Sequence, residues 1–91
     1  MLRITIHNED AATRLQVEGK LVGAWVEELK VCWQSLASSG RALLVDLSAL
    51  TLIDADGKAL LAEMHRQGAR LAAIGLMTQA IIEEITQEAK L

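Results

Sequence analysis

The chain has one cysteine and no phenylalanine or tyrosine, and Trp25 and Trp33 are its only aromatics. A lone Cys32 excludes an intrachain disulfide and a cysteine metal site. It suits a reducing compartment. Two tryptophans in a helical pattern make no platform for stacking bases. Positive charge is also in short supply. Nine Lys and Arg stand against twelve Asp and Glu, for a net charge of −3. That balance argues against nucleic acid as a default partner. No apolar run approaches membrane-spanning length, so direct membrane insertion is not expected. The first residues alternate apolar and polar, unlike a signal peptide. These absences together predict a cytoplasmic protein.

What is present predicts one globular domain. The 91 residues are 52% hydrophobic and 23% charged, enough for a small core and too apolar for disorder. Leu2, Ile4 and Ile6 alternate with Arg3, Thr5 and His7, which predicts a strand with one buried face. Asn8, Glu9 and Asp10 form a polar turn. Leu15, Val17 and Gly19 alternate again, so the two strands pair as an antiparallel hairpin. His7 falls on the polar face and is read as solvated. His65 is far from it in sequence, and two unclustered histidines make no metal site.

A helix is predicted over residues 22–37, with Val22, Trp25, Val26, Leu29, Trp33 and Leu36 as its apolar stripe. Both tryptophans lie on that stripe, which favours packing on the sheet over ligand contact. Cys32 borders it and reads as a small buried hydrophobe rather than a nucleophile. Ser38, Ser39 and Gly40 end the helix.

Residues 43–47 have too few polar alternations for a half-exposed strand. They read as a central strand covered on both faces. A loop over residues 48–56 leads to a helix that runs to about Gln67, with Leu60, Leu61 and Met64 inward and Gly68 as its stop. Leu71 to Ile74 forms another buried strand, parallel to the previous one through a right-handed crossover. Gly75 ends it. Thr78 caps a third helix carrying Ile81, Ile82 and Ile85. The expected fold is α/β: a mixed sheet of about four strands with three helices.

The most concentrated charge lies where the central strand gives way to its helix, at Asp54 and Asp56. A helix start has unpaired N–H groups and favours anions. One of the two acids is expected to be the N-cap. A cap alone explains the pair less well, because like charges so close repel. Gly57 either allows close backbone approach or merely starts the helix.

The run Val45-Asp46-Leu47-Ser48-Ala49-Leu50-Thr51-Leu52-Ile53-Asp54-Ala55-Asp56-Gly57 resembles the signature of STAS domains, the anti-sigma-factor antagonist family. That pattern is an apolar strand, Asp-Leu-Ser, a short apolar run, then Asp-x-Ser/Thr-Gly at a helix start. The order of elements resembles the family too, over nearly the whole chain. The resemblance implies a non-enzymatic regulatory domain without cofactor. It implies a protein partner, either an anti-sigma-type kinase or another signalling protein. Other relatives serve in transport complexes, so the alternative is an accessory subunit docked on a transporter ATPase. A homodimer is compatible with either reading. The implied interaction residues are Asp56, Asp54, Gly57, Lys58, Ser48 and Thr51.

The sequence departs from the family pattern in three places. Asp56 occupies the position of the phosphorylatable hydroxyl. Lys58 stands where the family often has an apolar residue. The usual last strand and helix are missing from residues 1–91, which would leave a sheet edge open. An acid carries about one negative charge where a phosphoserine carries about two. The expectation is therefore a domain that is not switched by phosphorylation at residue 56, with Ser48 and Thr51 as structural hydroxyls of the loop.

Enzyme chemistry fits poorly. Asp54-x-Asp56 resembles the acid pair of haloacid-dehalogenase-like phosphatases, but a chain this short has little room for the further loops they need. A calcium loop would want Gly near Ala59 and Glu near His65. There is no glycine-rich phosphate loop.

Overall fold

In the computed structural model, residues 1–72 and Glu83 are described. The elements run β1 (Leu2–Asn8), β2 (Ala12–Leu21), α1 (Ala24–Ala37), β3 (Ala42–Ile53), α2 (Ala55–Arg66) and β4 (Arg70–Ala72). The sheet order is β1-β2-β3-β4. The first pair is antiparallel and the other two are parallel. This is the expected mixed four-stranded sheet, with two helices among the described residues. The expected third helix, with Thr78, Ile81, Ile82 and Ile85, falls outside the described residues, as do Ile74 and Gly75.

The topology explains where the helices go. The chain steps from β2 to β3 to β4 in one direction across the sheet. Right-handed crossovers then place α1 and α2 on the same face. Leu29 and Trp33 of α1 and Leu60, Leu61 and Met64 of α2 share one core with Leu15, Val17, Leu43, Val45 and Leu47 of the sheet. The inward assignment of Leu60, Leu61 and Met64 holds.

The other face of the sheet corrects an expectation. β3 is not covered on both sides, because Leu44, Asp46 and Ser48 are only half-buried. The partners of Leu44 are Arg14 and Arg70, and those of Asp46 are Gln16 and Ala72. This face is mainly polar, with Leu44 and Ala72 among the polar groups, and its Arg14, Asp46, His7 and Gln16 side chains pair with one another or with Glu9. Arg14 lies 3.7 Å from the Asp46 carboxylate and 3.6 Å from that of Glu9. His7, read as solvated, instead pairs with Gln16 across the hairpin, 3.1 Å from its side-chain oxygen.

β3 also runs further than expected. The residues assigned to a loop up to Ile53 are strand, and the register shows why they were hard to recognise. Gln16 pairs with Asp46, but Glu18 pairs with Ala49, so β3 holds one extra residue. Gly19 then pairs with Leu50 and Lys20 with Leu52, a second extra residue. Each bulge moves the core-facing position by one. The inward residues fall at Leu47, Leu50 and Ile53, a spacing of three that hides a strand whose signature is a spacing of two. A hydroxyl accompanies each bulge. Ser48 donates through its backbone N–H (3.0 Å) and its hydroxyl (2.6 Å) to Asp46 Oδ1. Thr51 Oγ1 donates to the Gly19 carbonyl at 3.0 Å. They are structural hydroxyls of a strand, not of a loop.

α1 begins at Ala24, two residues later than expected, after Gly23. Trp33 is buried, but Trp25 is 38% exposed and does not pack into the core as its place on the stripe suggested. It lies in the first turn, at the margin of the buried face. Cys32 is half-buried, and its thiol is pushed up by burial, with the Glu28 carboxylate adding to the effect. α2 stops as expected: Gly68 has φ +100°, and Ala69 N–H closes the end by donating to the Met64 carbonyl at 3.0 Å.

Candidate functional site

The parallel strands β2 and β3 end side by side, where Leu21 pairs with Ile53. The chain leaves β2 through Gly23 into α1, and leaves β3 through Asp54 into α2. Two helix starts therefore lie together at the carboxyl end of the sheet, the place where open α/β sheets gather function.

Asp54 joins them. It is the N-cap of α2, and its Oδ1 accepts from Gly57 N–H at 2.8 Å. Its Oδ2 accepts from Gly23 N–H, the residue that caps α1, at 2.9 Å. One carboxylate thus satisfies a donor at the start of each helix. Gly23 has no side chain to cap α1, and the link across the two loops satisfies the backbone N–H of Gly23 itself. The Gly23 N–H, followed by the Gly57 N–H, holds the Asp54 carboxyl below its ordinary range.

Gly57 follows from the same closeness. It is buried in the first turn of α2. A Cβ there would come within 2.7 Å of the Leu21 carbonyl oxygen and 2.8 Å of Ile53 Cγ1. Of the two readings of Gly57, close backbone approach is the one realised. The glycine lets α2 begin directly against the end of the sheet.

Asp56 is placed differently. It is exposed in the first turn of α2 and borders the groove between the two helices. Because Asp54 makes the cap, Asp56 is not needed for it. The two acids of the pair are thus separated by geometry: one turned into the join between loops, the other presented outward. Lys58 is half-buried on the next turn, and its backbone N–H donates to the Asp54 carbonyl at 3.0 Å.

The structure therefore brings Asp54, Asp56, Gly57 and Lys58 together at one helix start. It does not bring Ser48 there. Ser48 lies on the sheet face away from the helices, six residues upstream, where its partner Asp46 is held below the ordinary carboxylate range chiefly by the Ser48 hydroxyl. Thr51 is exposed beside the second bulge, tied to Gly19. Sequence reasoning overlooked Gly23 and Glu27, the contribution of α1 to this end of the molecule, and assigned Trp25 to packing on the sheet, where it is instead exposed. The available signal was a glycine directly before a helical stripe with no capping side chain next to it. Among the described residues no group of three or more His, Cys, Asp or Glu side chains is arranged to hold a metal ion. No helix among them is long and apolar enough to cross a membrane.

Neither a protein-family model nor a curated protein matches the sequence, but solved structures match the fold. An anti-sigma factor antagonist from Mycobacterium paratuberculosis superposes with a TM-score of 0.84 at 18% identity, over 100% of this chain and 83% of that one. The anti-sigma factor antagonist SpoIIAA, in its unphosphorylated form, gives 0.69 at 12% identity, over 89% and 82%. A protein with a SpoIIAA-like fold from Shewanella loihica gives 0.56 at 21% identity, over 81% and 66%. At such identities the likeness establishes architecture. With the mixed sheet, the same-face helices and the capped helix start after β3, it shows that this chain has the fold of the anti-sigma-factor antagonists.

Proposed function

We propose that the chain is a non-enzymatic regulatory domain that works in the cytoplasm by binding another protein through the start of α2. Its partner is a signalling protein of the anti-sigma type, and residue 56 is not a phosphorylation switch. The observation that carries this reading is the division of labour between the two acids. Asp54 uses both carboxylate oxygens to hold the helix start. Asp56 stands exposed on the same turn, at the position that corresponds, by resemblance, to the phosphorylated hydroxyl of the family. A carboxylate there gives the domain a permanent anionic feature beside a helix start that favours anions. The feature is roughly half the charge of a phosphate.

The test is capture from the native lysate with wild type and Asp56→Ser as baits, followed by identification of the bound proteins and their affinities. A signalling partner whose affinity differs between the baits is the expected result. Its sign reports the partner's preference: a partner that favours the unphosphorylated form binds Asp56→Ser more tightly, and one adapted to the acid binds it less. With the cognate kinase and ATP, wild type gains no phosphate at residue 56. Recovery of a transporter ATPase instead would replace this reading with the accessory-subunit one. A captured partner indifferent to Asp56→Ser, yet lost on alanine substitution elsewhere, would refute the role given to Asp56.

A further inference from the structure

β1 ends the sheet on the side away from β4 and α2. The ladder shows which of its peptide groups are left over. Lys20 N–H donates to the Met1 carbonyl at 3.0 Å, and Glu9 N–H donates to the Ala12 carbonyl at 2.9 Å. Hydrogen-bonded pairs alternate with non-bonded ones along an antiparallel ladder. Arg3, Thr5 and His7 therefore exchange bonds with Glu18, Gln16 and Arg14. Leu2, Ile4, Ile6 and Asn8 are left to point their N–H and C=O groups off the edge. Natural edges are blunted by shortness, bulges, proline or charge. β1 has seven residues and no proline, pairs without a register shift, and carries Arg3 as its only fixed charge. Its helix-side residues are under-covered as well. Val17 and Leu15 are fully buried, whereas their partners across the hairpin, Ile4 and Ile6, are half-buried and 46% exposed.

We propose that this edge is a homodimer interface: two copies pair β1 antiparallel to β1 about a two-fold axis at Thr5, and their sheets become one. The strand is complementary to itself in that register. Ile4 falls opposite Ile6 of the second copy, and Ile6 opposite Ile4, as hydrogen-bonded pairs that use the outward peptide groups. Leu2 falls opposite Asn8 in the same way. Thr5 meets Thr5 at the axis as a non-bonded pair, and Arg3 stands opposite His7. A shift of two residues either way keeps the outward groups facing but leaves part of the strand unpaired. Self-complementarity selects a second copy over an unrelated strand, since a two-fold interface needs one sequence to supply both sides. Opposed β-branched side chains stabilise such a pairing. The interface lies across the sheet from α2, so the inference is independent of the reading of Asp56, and the dimer leaves that helix start open. One strand pair buries less than a standard interface of about 1,600 Å², so the expected Kd lies between about 10 μM and 1 mM.

Sedimentation velocity of the full chain from about 10 μM to about 1 mM reads the association. Wild type should pass from monomer toward dimer over that range. Ile6→Lys sets a charge against Ile4 of the second copy and should weaken association at least about tenfold. Ile6→Pro removes an outward N–H and no β1–β2 hydrogen bond, and should do the same. Thermal melts confirm that both variants are folded. Cysteines introduced in a Cys32→Ser background read the register. The Cα atoms of a non-bonded antiparallel pair lie about 4.5 Å apart, within reach of a disulfide. Thr5→Cys should therefore oxidise to a covalent dimer, and Arg3→Cys should do so only when mixed with His7→Cys. Wild type that stays monomeric up to about 1 mM would overturn the proposal. So would a dimer indifferent to Ile6→Lys and Ile6→Pro, which would be held through another surface. A dimer in which Thr5→Cys crosslinks no faster than Arg3→Cys alone would overturn it too.

Discussion

Two aspartates on one helical turn have separate tasks. Asp54 accepts from both Gly23 and Gly57. An asparagine in its place keeps one acceptor oxygen and turns an NH2 toward the other donor, so Asp54→Asn should lower the melting temperature more than Asp56→Asn does. The pH dependence has a definite sign. The folded-state pKa of Asp54 lies below its ordinary value near 3.8. Its contribution is fully present above that value and is lost as the pH falls through the folded-state pKa. The difference in melting temperature between wild type and Asp54→Asn should therefore shrink in strongly acid solution, and a difference that stays constant down to low pH would contradict this. Gly57→Ala should destabilise by about 1–3 kcal/mol, because its methyl meets backbone at Leu21. Denaturant unfolding measures that cost. Cys32, with its thiol pushed up by burial and by Glu28, should react slowly with iodoacetamide near neutral pH and quickly once the chain is unfolded.

At the scale of elements, β3 and α2 carry both the core and the site. Leu61 is fully buried in α2, and Leu61→Ala should cost about 2–5 kcal/mol in chemical denaturation. A loss well below that range would mean that the inward face of α2 is assigned wrongly. The sequence made these elements legible to different degrees. α2 was readable because Leu60, Leu61 and Met64 keep helical spacing and Asp54 and Gly68 mark its ends. The hairpin was readable from its strict alternation. The second half of β3 is not, because two bulges break the alternation that identifies a strand and place Ser48 and Thr51 at spacings that resemble a loop. β3 was judged covered on both faces because Leu43, Leu44 and Val45 form an unbroken apolar run, yet Leu44 sits between two arginines on the open face. In α1, Trp25 was counted with the stripe because spacing cannot distinguish its margin from its centre. At the site, the position of the acids was legible, but which one served as cap was not. That choice depended on Gly23, a residue 31 positions away that only the fold brings near.

At the scale of the whole fold, among the described residues, one face of the sheet is polar and internally paired, and the other carries two helices whose starts are joined through Asp54. The join underlies the proposed interaction surface: Asp56 is presented from a helix end that is capped, packed against Leu21 and tied to its neighbour. The central claim is that structure and interaction are divided between Asp54 and Asp56. The most direct measurement compares wild type, Asp54→Asn and Asp56→Ser, recording the melting temperature and the affinity for the captured partner for each. The account predicts that Asp56→Ser changes the affinity at an almost unchanged melting temperature, and that Asp54→Asn lowers the melting temperature. Unchanged affinity in Asp56→Ser, or a loss of stability there equal to that of Asp54→Asn, would contradict it.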